Sequence, residues 1–327
     1  MKIAFVGKGG SGKTTLSSLF VRYLAAWRVP VTAVDADINQ HLGVALGLAE
    51  EEAAALPALG ARLPLIKDYL RGDNPRILSA ETMIKTTPPG AGSRLLRLSE
   101  ENPVFAACAR TVRLSEGSAR LLVTGPFTAD DLGVACYHSK TGAVELCLNH
   151  LVDGRDEYLV VDMTAGSDSF ASGLFTRFDV TFLVTEPTRK GVSVYRQYRS
   201  YARDFGVRVQ VVGNKVQGPE DEAFLRAEIG DDLLVTLGHS DWVRALERGD
   251  ERPFASLEPA TATALRAMRL ASDAAYPERD WERYTQQMVH FHLKNAASWG
   301  NDRTGADLAA QVDPGFVLRE TPSPQPA

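Results

Sequence analysis

The segment Gly7-Lys8-Gly9-Gly10-Ser11-Gly12-Lys13-Thr14 constrains this chain more than any other feature. It fits the pattern G-x-x-x-x-G-K-[ST]. It stands between an apolar run at residues 2–6 and a stretch in which Leu16, Leu19, Phe20, Tyr23, Leu24 and Trp27 share one helical face. A strand that turns through glycines into a helix aims several backbone N–H groups into one concavity. Glycine permits the backbone angles that such a loop needs. The helix start adds the positive end of its dipole, which favours a phosphate. Lys13 supplies a point charge for β- and γ-phosphates, and Thr14 a hydroxyl for Mg²⁺. Gly9, Gly10, Ser11, Gly12, Lys13, Thr14 and Thr15 are therefore the candidate nucleotide-phosphate ligands. A glycine turn arising by chance would have no reason to carry a strand before it and an amphipathic helix after it.

Short apolar runs alternate with helical stretches over most of the chain, which predicts a parallel sheet covered on both faces. Strands are expected at residues 31–34, 121–124, 158–163, 180–185, 207–213 and 233–237. The fold class that follows is α/β, a P-loop three-layer sandwich with a mostly parallel central sheet and a C-terminal helical extension. One domain is expected over residues 1–258. Residues 48–118, which carry Pro57, Pro64, Pro75, Pro88 and Pro89, read as an insertion of helices and loops. Helices at 260–275 and 279–296 would form the extension over 259–300, the second with Trp281, Tyr284, Met288 and His292 on one face. Residues 301–327, ending Thr-Pro-Ser-Pro-Gln-Pro-Ala, read as a flexible tail.

Apolar residues make up 44% of the 327, enough for a sizeable core. Acids outnumber bases by 41 to 36 and no basic block stands out, so no nucleic-acid partner is expected. Cys108, Cys136 and Cys147 do not form a disulfide framework. The chain runs from Met1 straight into a strand, with no leader and no apolar run near the ~18 residues that span a bilayer. These features predict a cytoplasmic protein.

Two acidic strand ends complete the nucleotide machinery. Asp35 and Asp37 stand two residues apart after the second strand, and the apolar run before Asp162 ends in that acid. Phosphoryl transfer needs mainly positioning and charge stabilisation, so one well-placed carboxylate can orient the attacking water. Acids at such places also serve as helix caps. The run Lys8-Gly9-Gly10-Ser11-Gly12-Lys13-Thr14-Thr15, with a lysine directly after the first glycine, resembles the deviant Walker A loop of the MinD/ParA superfamily. The resemblance implies ATP and Mg²⁺ as ligands and a homodimer in which Lys8 reaches the partner's nucleotide. It also implies catalytic roles for Lys13 and Asp37, with Asp37 activating the water. Asp35 and Asp162 would belong to the Mg²⁺ shell, and the Gly166 N–H would lie near the γ-phosphate. Asn214 would read the adenine edge, and His239 would rim the base. Asn at a strand end is otherwise a common turn former.

Within that superfamily, Gly133-Val134-Ala135-Cys136-Tyr137-His138 resembles the Cys-x-Cys region of the CooC-like carbon monoxide dehydrogenase maturation ATPases. Asp162-Met163-Thr164-Ala165-Gly166 is similar to that group's Asp-Met-Glu-Ala-Gly. His138 stands where the second cysteine is expected, and Thr164 where the glutamate is. A Cys136/His138 pair from each subunit on a two-fold axis would suit Zn²⁺ or Ni²⁺ at the dimer interface. A structural or partner-contact role for Cys136 is the alternative. The resemblance implies an ATP-hydrolysing switch that matures or delivers a metal centre or cofactor to a client protein. A MinD/ParA-like regulatory switch without metal is the other reading. A nitrogenase iron-protein-like reductase fits less well, because residues 162–177 offer no second cysteine. His290 and His292 fall on different helical faces and make no ligand pair.

Overall fold

Parallel strands covered on both faces must be apolar nearly throughout, and Lys2–Gly7 (β1) and Val31–Ala36 (β2) are buried along their whole length. The computed structural model describes residues 1–37, 39–126, 137–165, 170 and 173–319, with only the backbone of 137–140, 164 and 165. Along the chain follow Leu96–Arg97 (β3), Arg110–Arg113 (β4), Ser118–Val123 (β5), Leu151–Val152 (β6), Tyr158–Ala165 (β7), Val180–Thr185 (β8), Val209–Gly213 (β9) and Leu233–Thr236 (β10). Among the described residues, one eight-stranded sheet has the order β10-β9-β8-β1-β7-β2-β5-β4. Every pair in it is parallel except β4 with β5. β3 and β6 pair separately. The expected α/β three-layer sandwich is the observed architecture.

The strand period of two divides the core into two layers. Ala4 and Val6 face one side, and Ile3 and Phe5 the other. The Ala4 side is covered by Leu63–Arg71 (α4), Pro103–Cys108 (α5), Tyr137–Asn149 (α6), Arg189–Arg203 (α7) and Pro219–Ile229 (α8). The Ile3 side is covered by Lys13–Ala26 (α1), Leu42–Ala45 (α2), Asp241–Leu246 (α9) and Pro259–Ala275 (α10). Glu50–Ala54 (α3) lies in the inserted region. Trp281–Asn295 (α11) and Asn301–Thr304 (α12) complete the described helices.

Three expectations change. The stretch 48–118 contains strands as well as helices, and β4 forms the antiparallel edge. Only Val112 of that strand is buried, so it lacks the repeated apolar alternation that marks a strand in sequence. The helix beginning at Pro259 is part of the main core, since Ala264, Leu265 and Met268 pack among the strands. The tail expected to be flexible from residue 301 is packed as far as 319. Leu308 and Leu318 are fully buried, and the Leu318 N–H donates to Thr285 Oγ1 at 3.1 Å. Leu308 and Leu318 belong to no sustained apolar repeat, but each fills a satellite apolar cluster.

A buried ionic knot joins α11 and the segment before it to the sheet. Lys2 Nζ donates to Leu151 O at 2.6 Å and to Tyr284 Oη at 2.9 Å. Arg279 bridges Asp153 at 2.7 Å and Asp179 at 2.5 Å. Removing one member of such a set leaves buried charge uncompensated. Arg279→Ala should lower unfolding free energy by about 3–5 kcal/mol in denaturant titrations. A loss under about 1 kcal/mol would mean that the knot is not sealed from water.

His150 is fully buried at the end of α6, with Nδ1 donating to Leu146 O at 3.0 Å. Burial pushes its pKa down to about 4 from an ordinary 6.5. The unfolded chain therefore takes up this proton first as pH falls. The contribution is intact above 6.5 and declines to about 4, amounting to about 3 kcal/mol. His150→Gln should flatten that part of the stability–pH profile, read by thermal unfolding between those pH values.

Candidate nucleotide site

The loop from Gly7 enters α1 directly, so Lys13 and Thr14 are its first two residues. Gly12 is the cap at φ +92°. That left-handed angle favours glycine, and a Cβ there would sit 2.2 Å from Asn214 Nδ2. Asn214 Nδ2 donates instead to Ser11 O at 2.8 Å. Lys215 Nζ donates to Gly10 O at 2.7 Å and to Glu186 Oε1 at 2.7 Å. Two residues after β9 thus brace the loop through its carbonyls. Lys8, a third exposed, stands 4.0 Å from the same Glu186 at the site's edge.

Two neighbouring strands bring acids to the buried Lys13. β2 and β7 are neighbours in register, with Asp35 opposite Asp162. Lys13 Nζ lies 2.9 Å from Asp37 Oδ2 and 3.3 Å from Asp162 Oδ1. Burial pushes Lys13 down, but Asp162 and Asp37 outweigh it and hold its ammonium above its usual range. Burial pushes Asp162 up, opposed by Lys13 and by Thr14, whose hydroxyl donates to it at 2.6 Å. Thr14 and Asp162 are thus paired where the sequence placed the Mg²⁺ ligands.

Asp35, expected in the same Mg²⁺ shell, is fully buried and occupied otherwise. Its Oδ1 accepts from Asp37 N at 3.1 Å, and its Oδ2 from Leu42 N at 2.8 Å. Burial and Asp162 push its pKa up to about 8, against the pull of those two N–H groups. It shapes the turn that presents Asp37 and leads into α2. Asp37 itself points its second oxygen back to Asn39 N at 3.1 Å.

The residues present fit a nucleotide. Ser11 Oγ is buried without a hydrogen-bond partner in the loop. Beside the loop opens a cleft of about 800 Å³, in which Gly12, Thr15, Leu16, Asn214, Gly238 and His239 form a continuous wall. Its size suits a small-molecule ligand. His239 is exposed at the rim, its Nε2 3.2 Å from Asp241. Thr15 Oγ1 donates to Glu247 Oε1 at 3.3 Å across the cleft. Lys215, Glu186 and Glu247 were given no role by sequence reasoning. The φ of +60° at Lys215, which turns its side chain onto the loop, carries no mark in the residue type.

Gly166 and Cys136 lie outside the described residues, as does the side chain of His138. Among the described residues no group of three or more His, Cys, Asp or Glu is arranged to hold a metal ion. Among them also, no helix is long and apolar enough to cross a membrane.

No protein-family model matches the chain. An uncharacterised ATP-binding protein of Methanocaldococcus jannaschii is 31% identical over 240 residues, spanning 73% of this chain and 84% of that protein. The carbon monoxide dehydrogenase accessory protein CooC of Rhodospirillum rubrum is 27% identical over 276 residues, spanning 83% of this chain and 95% of that one. The chain belongs to the MinD/ParA superfamily of P-loop ATPases, in its CooC-like group. The cell division ATPase MinD of Pyrococcus furiosus shares the fold, with a TM-score of 0.53 at 14% identity over 83% of this chain and 98% of that one. In this MinD/ParA ATPase the Asn214 brace predicts a specific defect. Gly12→Ala should cost about 1–3 kcal/mol through the positive φ and the displaced amide. It should also shrink the thermal shift produced by Mg-ATP. Unchanged unfolding and an unchanged shift would show that the loop does not need this brace.

Proposed function

We propose that this chain binds Mg-ATP at Gly7–Thr14, hydrolyses it as a homodimer, and uses the cycle to mature or deliver a metal centre or cofactor to a client protein. The observation that carries the ATPase reading is Lys13 clasped by Asp37 and Asp162 at the mouth of a phosphate loop. Lys13 is held by the acids that the reaction would use. Phosphate oxygens would compete for its ammonium and release Asp37 to accept a hydrogen bond from the attacking water. Thr14 and Asp162 would hold Mg²⁺, which neutralises charge on the β- and γ-phosphates. The braced loop amides stabilise the transferring group without moving. Lys8, a third exposed at the site's edge, is open to a role toward a partner's nucleotide.

The maturation role rests on the similarity to CooC. It predicts a Zn²⁺ or Ni²⁺ ion shared by Cys136 and His138 of two subunits. Metal analysis should show less bound ion in Cys136→Ala than in the wild type. Equal content in both would end the metal reading and favour a regulatory switch with a protein client. Steady-state phosphate release tests the ATPase itself. Lys13→Ala should abolish turnover, and Asp37→Ala should lower it about 10²–10⁴-fold while retaining ATP binding. Undiminished turnover in Lys13→Ala would overturn the site.

A further inference from the structure

We propose that the chain carries a second ligand site, for a small organic anion with two or more negative charges on a ring-bearing body. The site is a cavity of about 730 Å³ whose described lining shares no residue with the nucleotide cleft. One wall comes from α4 and the segment before residue 86, the other from Trp299 and from Arg303 and Thr304 of α12. Its floor is Thr124, Gly125 and Pro126, just past the carboxyl end of β5. Ligands of open α/β sheets bind outside the carboxyl ends of strands, and the size is that of a small-molecule pocket.

Charge gives the class. Among the described lining residues Lys67, Lys85 and Arg303 face a single acid, Glu81. Lys67 Nζ donates to the main-chain oxygen of Glu81 at 3.3 Å rather than to its carboxylate. Burial and the nearby Arg303 guanidinium push the Lys67 ammonium down, partly offset by Glu81. Two cations held close enough to repel are stabilised by an anion between them. Lys85 stands 4.0 Å from the buried Glu145 and packs over Gly142, where a Cβ would lie 3.0 Å from its own. The ring gives the rest. Trp299 lines the cavity, held by its Nε1 donating to Asn295 Oδ1 at 2.9 Å, with Arg303 5.7 Å from its centroid. Met83 and Ile84 continue the apolar wall. An anion bound here would tie the inserted region to the C-terminal segment.

The test is fluorescence titration with naphthalene-1,5-disulfonate, an aromatic dianion, on protein saturated with Mg-ADP so that the nucleotide cleft is filled. One saturable site is expected, weakened about tenfold or more in Lys67→Met and in Arg303→Met. Both side chains reach solvent, so neither truncation strands a buried charge. ADP affinity should be unchanged in both variants, and the dianion should still bind Lys13→Ala. No saturable binding, or binding that neither substitution weakens, would overturn the site. Binding lost in Lys13→Ala but kept in the other two would assign the dianion to the nucleotide cleft and overturn it equally.

Discussion

One buried ammonium organises the active end of this molecule. Lys13 stands at the start of α1 and meets carboxylates from the ends of β2 and β7. Each charge alone would be costly to bury, and together they compensate. Everything nearby serves that meeting. The glycine loop delivers the lysine, Asp35 uses both of its oxygens to shape the turn carrying Asp37, and Thr14 ties α1 to Asp162. A cluster compensated from within can exchange its internal partner for an external one, which is what a phosphate-dependent switch needs.

The opposite end of the sheet is held by a second compensated cluster with a different purpose. Lys2, Asp153, Asp179 and Arg279 lock α11 and the residues before it against the strands. No phosphate loop adjoins that knot, and the cleft that Asp179, Arg279 and Tyr284 line is only about 150 Å³. The contrast separates a charge set built for exchange from one built for fixation. The cavity of Lys67 and Arg303 opens past the carboxyl end of β5, apart from the lining of the nucleotide cleft.

Much of the site was legible because the chemistry of phosphate binding demands residue types at fixed spacing. The loop, Asp37, Asp162 and the flanking helix could be located from pattern alone. Asp35 was placed in the Mg²⁺ shell without sight of its two backbone N–H partners, because i and i+2 acids look alike in sequence. Glu247 and Glu186 approach the loop from far along the chain and have no spacing to betray them. The packed segment up to residue 319 was misjudged because its anchors, Leu308 and Leu318, belong to no sustained helical or strand repeat.

The sequence by itself determined the layered α/β class, the phosphate loop and which acids could serve it, because period-two burial and loop chemistry are local. Only the tertiary structure decided which acid clasps Lys13, which one caps a turn, and how Asn214 and Lys215 brace the loop. Those outcomes depend on strand order and register, with β7 inserted between β1 and β2. The ends of strands far apart in sequence then meet within hydrogen-bond distance, and no residue pattern encodes that meeting.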